Sequence, residues 1–390
     1  MIMLSQQQGI FFEFLRFCIG TVQEVPSSLK GADWRVLHAM ARKQCLVGVL
    51  FDGIKRLPAD VGMDKGLLFQ WMAQNQTLRK ANARLDKAAV EVAEWFGRKG
   101  FRTCVLKGQG NALLYPPGME RTPGDIDLWV DGGDRKVVSF VRSLSPDEKV
   151  CYHHIGFPEY NGVEVEVHFR PSFLFCFRHN RRLQGYYERV MDGQFAHKVK
   201  LGEQGEIAVP KAEFNLIFQL THIFTHLMNE GIGLRQLLDY FFLLKNTDFG
   251  GNTDGDGFLL NTDFTDNTDR IGGNADGVDR RLLQDELRRL GLWEFAGAVM
   301  YIMKEVFGLE DNRLIVPPDV KRGRLVLKEA LEAGNFGQYD KRNWFGHSAL
   351  GHNLQRLYRD MRLVRYFPEE ALSEPFFRIW HFFWRKRIVR

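Results

Sequence analysis

Apolar positions recur at two periods along this chain, and the change of period divides it. Over residues 7–98 they fall at helical spacing. Leu37, Met40, Ala41, Val47 and Leu50 line one face of 34–50, and 67–95 continues likewise among Ala, Glu, Lys and Arg. Ser28 and Asp60 or Asp64 supply side-chain oxygens where helices would start. Between about 102 and 170 the period shortens to two, predicting strands at 103–106, 125–130 and 163–169 and a helix over 136–144. A further strand begins at 152–154, bent near Gly156 and Pro158, ahead of a hairpin turn at Tyr160-Asn161-Gly162. Helical spacing returns at Lys211 and again over 281–290, 292–307 and 351–366. The pattern therefore predicts an α+β chain: an N-terminal helical region (1–98), a small mixed-sheet core (99–205) and a C-terminal helical region (206–390).

One stretch belongs to neither period. Asn-Thr-Asp recurs at 246–248, 252–254, 261–263 and 267–269 in a Gly-rich background that supplies no continuous apolar face, so 246–280 reads as a flexible insertion between helices. Its acidity and the basic C-terminal end make the formal charge of +5 an average over unlike parts. Five scattered cysteines without Cys-x-x-Cys spacing indicate neither a zinc knuckle nor a disulfide framework. No charge-free stretch reaches transmembrane length, and the expected location is the cytoplasm.

Candidate chemistry concentrates in the period-two region. Asp125 and Asp127 alternate with Ile126, Leu128 and Val130, so both carboxylates leave one face of a half-buried strand. Two such oxygens suit a hard divalent cation that keeps room for water and phosphates. A third carboxylate comes from Glu164 or Glu166, which share a face with His168. Upstream, Lys107-Gly108 turns a strand into a short helix-like piece, exposing backbone N–H groups suited to phosphate. His222 and His226 share a helix face, but no third ligand accompanies them, and core or substrate-facing packing is the expectation.

These residues carry a resemblance. Leu106-Lys107-Gly108, Leu113, Tyr115-Pro116, Arg121, Gly124-Asp125-Ile126-Asp127-Leu128 and Glu166-x-His168 together resemble the uncharacterised bacterial nucleotidyltransferase family of the DNA polymerase beta superfamily. Gly231-Ile232-Gly233-Leu234-Arg235, with Asp239 on the same helix face, resembles the family's second signature. The turn at Gly334-Asn335-Phe336-Gly337 is either a further family feature beside the cleft or a plain surface turn. The resemblance implies a nucleotidyltransferase core in which Asp125, Asp127 and Glu166 bind Mg²⁺ (or Mn²⁺) and catalyse, and Lys107, Gly108, Arg121 and Arg235 contact the nucleotide. Lys107-Gly108 stands where many members of the superfamily carry Gly-Ser or Gly-Gly, leaving Lys107 or a backbone group to replace the serine.

The implied reaction moves a nucleoside monophosphate from a triphosphate such as ATP to a hydroxyl or phosphate acceptor, releasing pyrophosphate. The acceptor (small molecule, protein or RNA) is left open. Two other readings remain: an inactive nucleotide-binding regulatory module, and a nucleic-acid-binding protein that uses the aromatic and basic tail at 376–387. A hydrolase on the same metal site is a weaker third.

Overall fold

Side-chain caps set the starts of the N-terminal helices in the structure, a computed structural model that describes residues 5–58, 62–250, 277–342 and 349–388. Ser5 forms a capping box ahead of α1 (Gln6–Ile19), Asp33 accepts two amides ahead of α2 (Trp34–Lys43), and Asp64 accepts the Leu67 amide at the head of α4 (Lys65–Arg98). Of the other expected caps, Asp60 lies outside the described residues, and Ser28 falls within a short 3₁₀ turn. The single helix predicted over 34–50 is two. Cys45 takes a left-handed backbone (φ 55°), which no α-helix can propagate through, and α3 (Val47–Ile54) starts anew.

Four strands, β1 (Thr103–Val105), β2 (Ile126–Val130), β3 (His154–Tyr160) and β4 (Val163–His168), form one sheet in the order β1-β2-β4-β3. The outer pairings are antiparallel and the central β2–β4 pairing is parallel. That parallel register sets Asp127 opposite Glu166 and Trp129 opposite His168. α5 (Gln109–Ala112) follows β1, and α6 (Gly133–Leu144) links β2 to β3. The β3–β4 hairpin closes on Asn161-Gly162, both left-handed (φ 53° and 71°), as a two-residue turn requires, with a register shift beside Pro158.

β2 is buried on both faces, where its alternation predicts one. Ile126, Leu128 and Val130 join α4 and α6 in one core. Trp129, on the opposite face, packs against Phe195 (4.7 Å) of α7 (Phe177–Ala196) and Phe214 (5.7 Å) of α8 (Ala212–Asn229). Asp127 shares that covered face. α7 has no counterpart in the sequence pattern, because its buried side includes His179, Asn180 and Gln194 among the apolar positions. The small hairpin of β5 (Lys198–Lys200) and β6 (Glu206–Ala208) is likewise additional.

α9 (Leu234–Asn246) is buried along almost its whole length, and α10 (Arg280–Arg289), α11 (Trp293–Glu305) and α12 (Val320–Ala333) extend the same helical core. Residues 251–276 of the expected insertion lie outside the described residues. Its two ends meet, the Val278 amide donating to the Asp248 carbonyl at 2.8 Å. α13 (Ala349–Leu363) and α14 (Pro368–Ile388) complete the described chain. The aromatic tail divides: Phe377, Trp380 and Trp384 pack on Tyr152 at 5.1–5.5 Å, whereas Phe376, Ile379 and Phe383 stay exposed. The molecule is thus a mixed α+β core with extensive helical regions before and after it. No helix among the described residues is long and apolar enough to cross a membrane.

Candidate active site

Asp127 is the centre of the site, only 1% exposed. Its Oδ1 accepts from Lys107 Nζ and His168 Nε2, both at 3.0 Å. Its Oδ2 is buried and has no hydrogen-bond partner among the described residues. Glu166, its neighbour across the parallel ladder, lies with Oε2 3.4 Å from His168 Nε2 and 3.3 Å from His154 Nδ1. Lys107 arrives from the end of β1, where Gly108 (φ 65°) turns the chain, and its Nζ also meets His222 Nε2 at 3.2 Å. His222 enters from α8, the helix that covers this face of the sheet.

The charges settle one another. Burial works against a protonated His168, but its hydrogen bonds to Asp127 and Glu166 outweigh it and raise the imidazole to about 9. With Nδ1 directed at the Arg170 carbonyl (3.3 Å), both ring nitrogens then donate. Burial would raise Asp127, yet Lys107 and His168 hold it below the ordinary carboxylate range. Asp125 moves the other way: burial and then the Asp127 charge push it up. His154 is lowered to about 4 by burial, and His153 is lowered for the same reason.

Ligand atoms of Asp127, Glu166 and His168 lie within 4.8 Å of one another, as do those of His153, His154 and His168. The orphaned Asp127 oxygen and the adjacent carboxylate are what a divalent cation needs, so these residues fit one. Asp125, one residue ahead of β2, lines the same cleft but falls outside that trio. Of the two candidate glutamates, Glu166 faces the cluster and Glu164 is exposed.

The arginines divide differently from the expectation that both face a nucleotide. Arg121 lines the cleft, but its fork is closed on Asp239 through Nε–Oδ1 and Nη2–Oδ2, both 2.8 Å, and the Tyr115 hydroxyl donates to the same carboxylate at 2.7 Å. Arg235 has no carboxylate partner among the described residues. It donates to the Thr122 carbonyl (3.1 Å), leaves Nε unpaired in a buried position, and stacks over Phe336 at 5.6 Å. Phe336 belongs to the turn at 334–337, which therefore lies at the cleft, and its left-handed backbone (φ 50°) presents the ring there.

Sequence reasoning placed His168 in a motif but not in the site, and passed over His153 and His154. The His153-His154 doublet at the start of a strand was the available signal; the sheet order that brings it beside β4 was not. Asn111, whose Oδ1 accepts from Gln219 Nε2 at 3.0 Å, was also missed. His222 and His226 meet edge to face at 4.2 Å, and His226 Nδ1 pairs with Glu230.

Residues 30–259 match the family described as "Uncharacterised nucleotidyltransferase". The chain belongs to that family. Among solved structures, this family member is similar to an antigenic nucleotidyltransferase-like protein from Paracoccidioides brasiliensis. That likeness is partial: 15% identity, 42% of this chain and 76% of that one, and a TM-score of 0.27. Among curated proteins no sequence matches it.

Proposed function

We propose that the chain transfers a nucleoside monophosphate from a nucleoside triphosphate to an acceptor hydroxyl or phosphate, with Asp127 and Glu166 as its principal metal ligands and Asp125 beside them. The observation that carries this reading is the buried, unpartnered Asp127 oxygen beside Glu166 and His168, in a chain of a nucleotidyltransferase family. The resemblance to the DNA polymerase beta superfamily belongs to the same reading. Carboxylate oxygens suit Mg²⁺ or Mn²⁺, and protonated His168 orients the Asp127 and Glu166 oxygens from behind. When bound, such a cation neutralises phosphate charge and lowers the pKa of an acceptor hydroxyl.

The chain's own groups then divide the work. Arg235, without a carboxylate partner among the described residues, is the cation assigned to phosphate oxygens, joined by Lys107 and the Gly108 backbone. Arg121 holds the wall through Asp239 instead of binding the nucleotide. Glu166 receives the acceptor proton as the acceptor oxygen bonds to the α-phosphorus. The bond from that phosphorus to the bridging oxygen breaks, and pyrophosphate leaves. ATP is the first triphosphate to try, and the other three ribonucleotides follow.

Pyrophosphate release with Mg²⁺ or Mn²⁺ and an acceptor mixture is the test. Asp127→Asn should lower it by at least about 10²-fold, since positioned charge supplies most of such catalysis. Release that survives Asp127→Asn, or failure of the unmodified chain to bind any metal–nucleotide pair, overturns the proposal. The pairing of Lys107 with Asp127 favours a second reading, an inactive nucleotide-binding module. That reading expects nucleotide binding with no pyrophosphate from any acceptor.

A further inference from the structure

A separate cavity of about 360 Å³ opens between the segments that precede β3 (149–153) and follow β4 (172–175), α8 and the C-terminal pair α13–α14. It adjoins the Asp127 centre. His222, the neighbour of Lys107, lines both spaces, and His153 on its wall stands 5.2 Å, ring to ring, from His168. Cys151, also on the wall, lies within electrostatic reach of Glu166 as well as of Lys149, Arg385 and Arg356.

The lining has two characters. Its floor is aromatic: Tyr152, Phe173 and Phe377 pack edge-to-face and stacked at 5.1–5.5 Å. Four cations, Lys149, Arg356, Arg378 and Arg385, also line it, against the single carboxylate of Glu374. Glu374 is buried and engages Arg378 (3.3 Å) and Arg356 (3.7 Å). Lys149 and Arg385 take part in no ion pair among the described residues. An aromatic floor accepts the flat face of a ring, and unpaired cations beside it select an anion. The volume is that of a small-ligand site, in the range of roughly 300–1,000 Å³.

We propose that this cavity is the acceptor site: it takes a sugar-sized, hydroxyl-bearing ring compound that carries a phosphate or carboxylate, with the anion at Lys149 and Arg385 and the ring over Tyr152 and Phe173. This inference rests on the nucleotidyl-transfer reading above and gives that reading its acceptor class. The hydroxyl oxygen faces past His153 toward Glu166, forms the new bond to the α-phosphorus and passes its proton to Glu166, while pyrophosphate leaves. The cavity's volume of about 360 Å³ suits a small molecule better than RNA or a protein segment.

Calorimetric titration of the full chain tests it with glucose 6-phosphate, glucuronate and neutral glucose as probes, with a short RNA hairpin as a further arm. An anionic sugar should bind and glucose should not, and the phosphate and carboxylate arms identify the anion. The double variant Lys149→Gln/Arg385→Gln should weaken that binding at least about tenfold, the loss expected of charge-assisted contacts, with its circular dichroism and its affinity for Mn²⁺–ATP unchanged. Equal binding of glucose, insensitivity to the double variant, binding of the RNA alone, or no anionic sugar bound at millimolar concentration would each overturn it. Asp127→Asn separates the two readings: it should abolish Mn²⁺–ATP binding and leave sugar binding intact. Loss of the nucleotide arm in the unmodified chain therefore counts against nucleotidyl transfer, and loss of the sugar arm against the acceptor site.

Discussion

Arg121 and Asp239 show how the fold gives a motif residue a partner that the motif does not name. The family motif singles out Arg121, and a guanidinium there has the geometry for a triphosphate. In the structure it spends that geometry on Asp239, 118 positions along the chain, with Tyr115 on the same carboxylate. Both members are buried, and removing one strands the other's charge. Arg121→Ala should therefore destabilise the chain by about 3–5 kcal/mol, whereas joint replacement of Arg121 by Met and Asp239 by Leu should cost far less. Urea unfolding of the single and double variants measures this. A double variant that loses as much as Arg121→Ala, or more, would show that no stranded charge is relieved and overturn this account. Asp127 and Glu166, by contrast, were legible because strand alternation reports on which face a side chain leaves. Alternation leaves Glu164 and Glu166 on one face; the β2–β4 register sets Glu166 opposite Asp127, which is why the proposal takes Glu166.

At the level of elements, the four strands of the main sheet and helices such as α4 and α8 were readable because each carries its period within a few residues; α7, with polar residues on its buried side, was not. The breaks were less so. The α2–α3 boundary depends on one left-handed residue, Cys45, of a type that seldom adopts that conformation. α13 and α14 meet across Asp360 and Glu374, two buried carboxyl groups within hydrogen-bonding reach, and neither spacing nor composition reveals that pairing. Burial, then the Glu374 charge and hydrogen bond, raise Asp360 to about 8 against the opposing pull of Arg378 and Arg356. An acid raised in the folded state binds its proton more tightly there than in the unfolded chain. Its contribution is complete below the unfolded value near 4 and is lost as pH climbs through about 8. Melting temperatures should fall across that window, and Asp360→Asn should flatten the slope. An unchanged slope in the variant would place the pH dependence elsewhere.

Across the whole molecule, two apolar cores lie on either side of the sheet, sharing α4, β1 and β2, and a tail residue joins them as well. Trp384 of α14 packs against the helical core and also against the core between the sheet, α4 and α6. It reaches Tyr152 at 5.4 Å and Phe169 at 6.3 Å. Such a bridge couples the unfolding of the two. Far-ultraviolet circular dichroism and near-ultraviolet aromatic signals should report one coincident transition, and Trp384→Ala should lower both midpoints together by a few degrees, about what 1–2 kcal/mol costs a chain of this size. Midpoints that separate in the unmodified chain would show the cores to be independent.

The sequence by itself determined the main strands, many of the helices, the α+β class and the carboxylate candidates, because periodicity and strand parity are local properties that survive without knowledge of the partner. Tertiary structure alone decided what those residues face. It buried the second side of β2 under α7 and α8, gave Arg121 to Asp239, turned Arg235 to the Thr122 carbonyl, and brought His153, His154 and His222 to the Asp127 centre. Each of these is a contact between segments tens of residues apart, set by sheet order and helix packing, which no local pattern encodes.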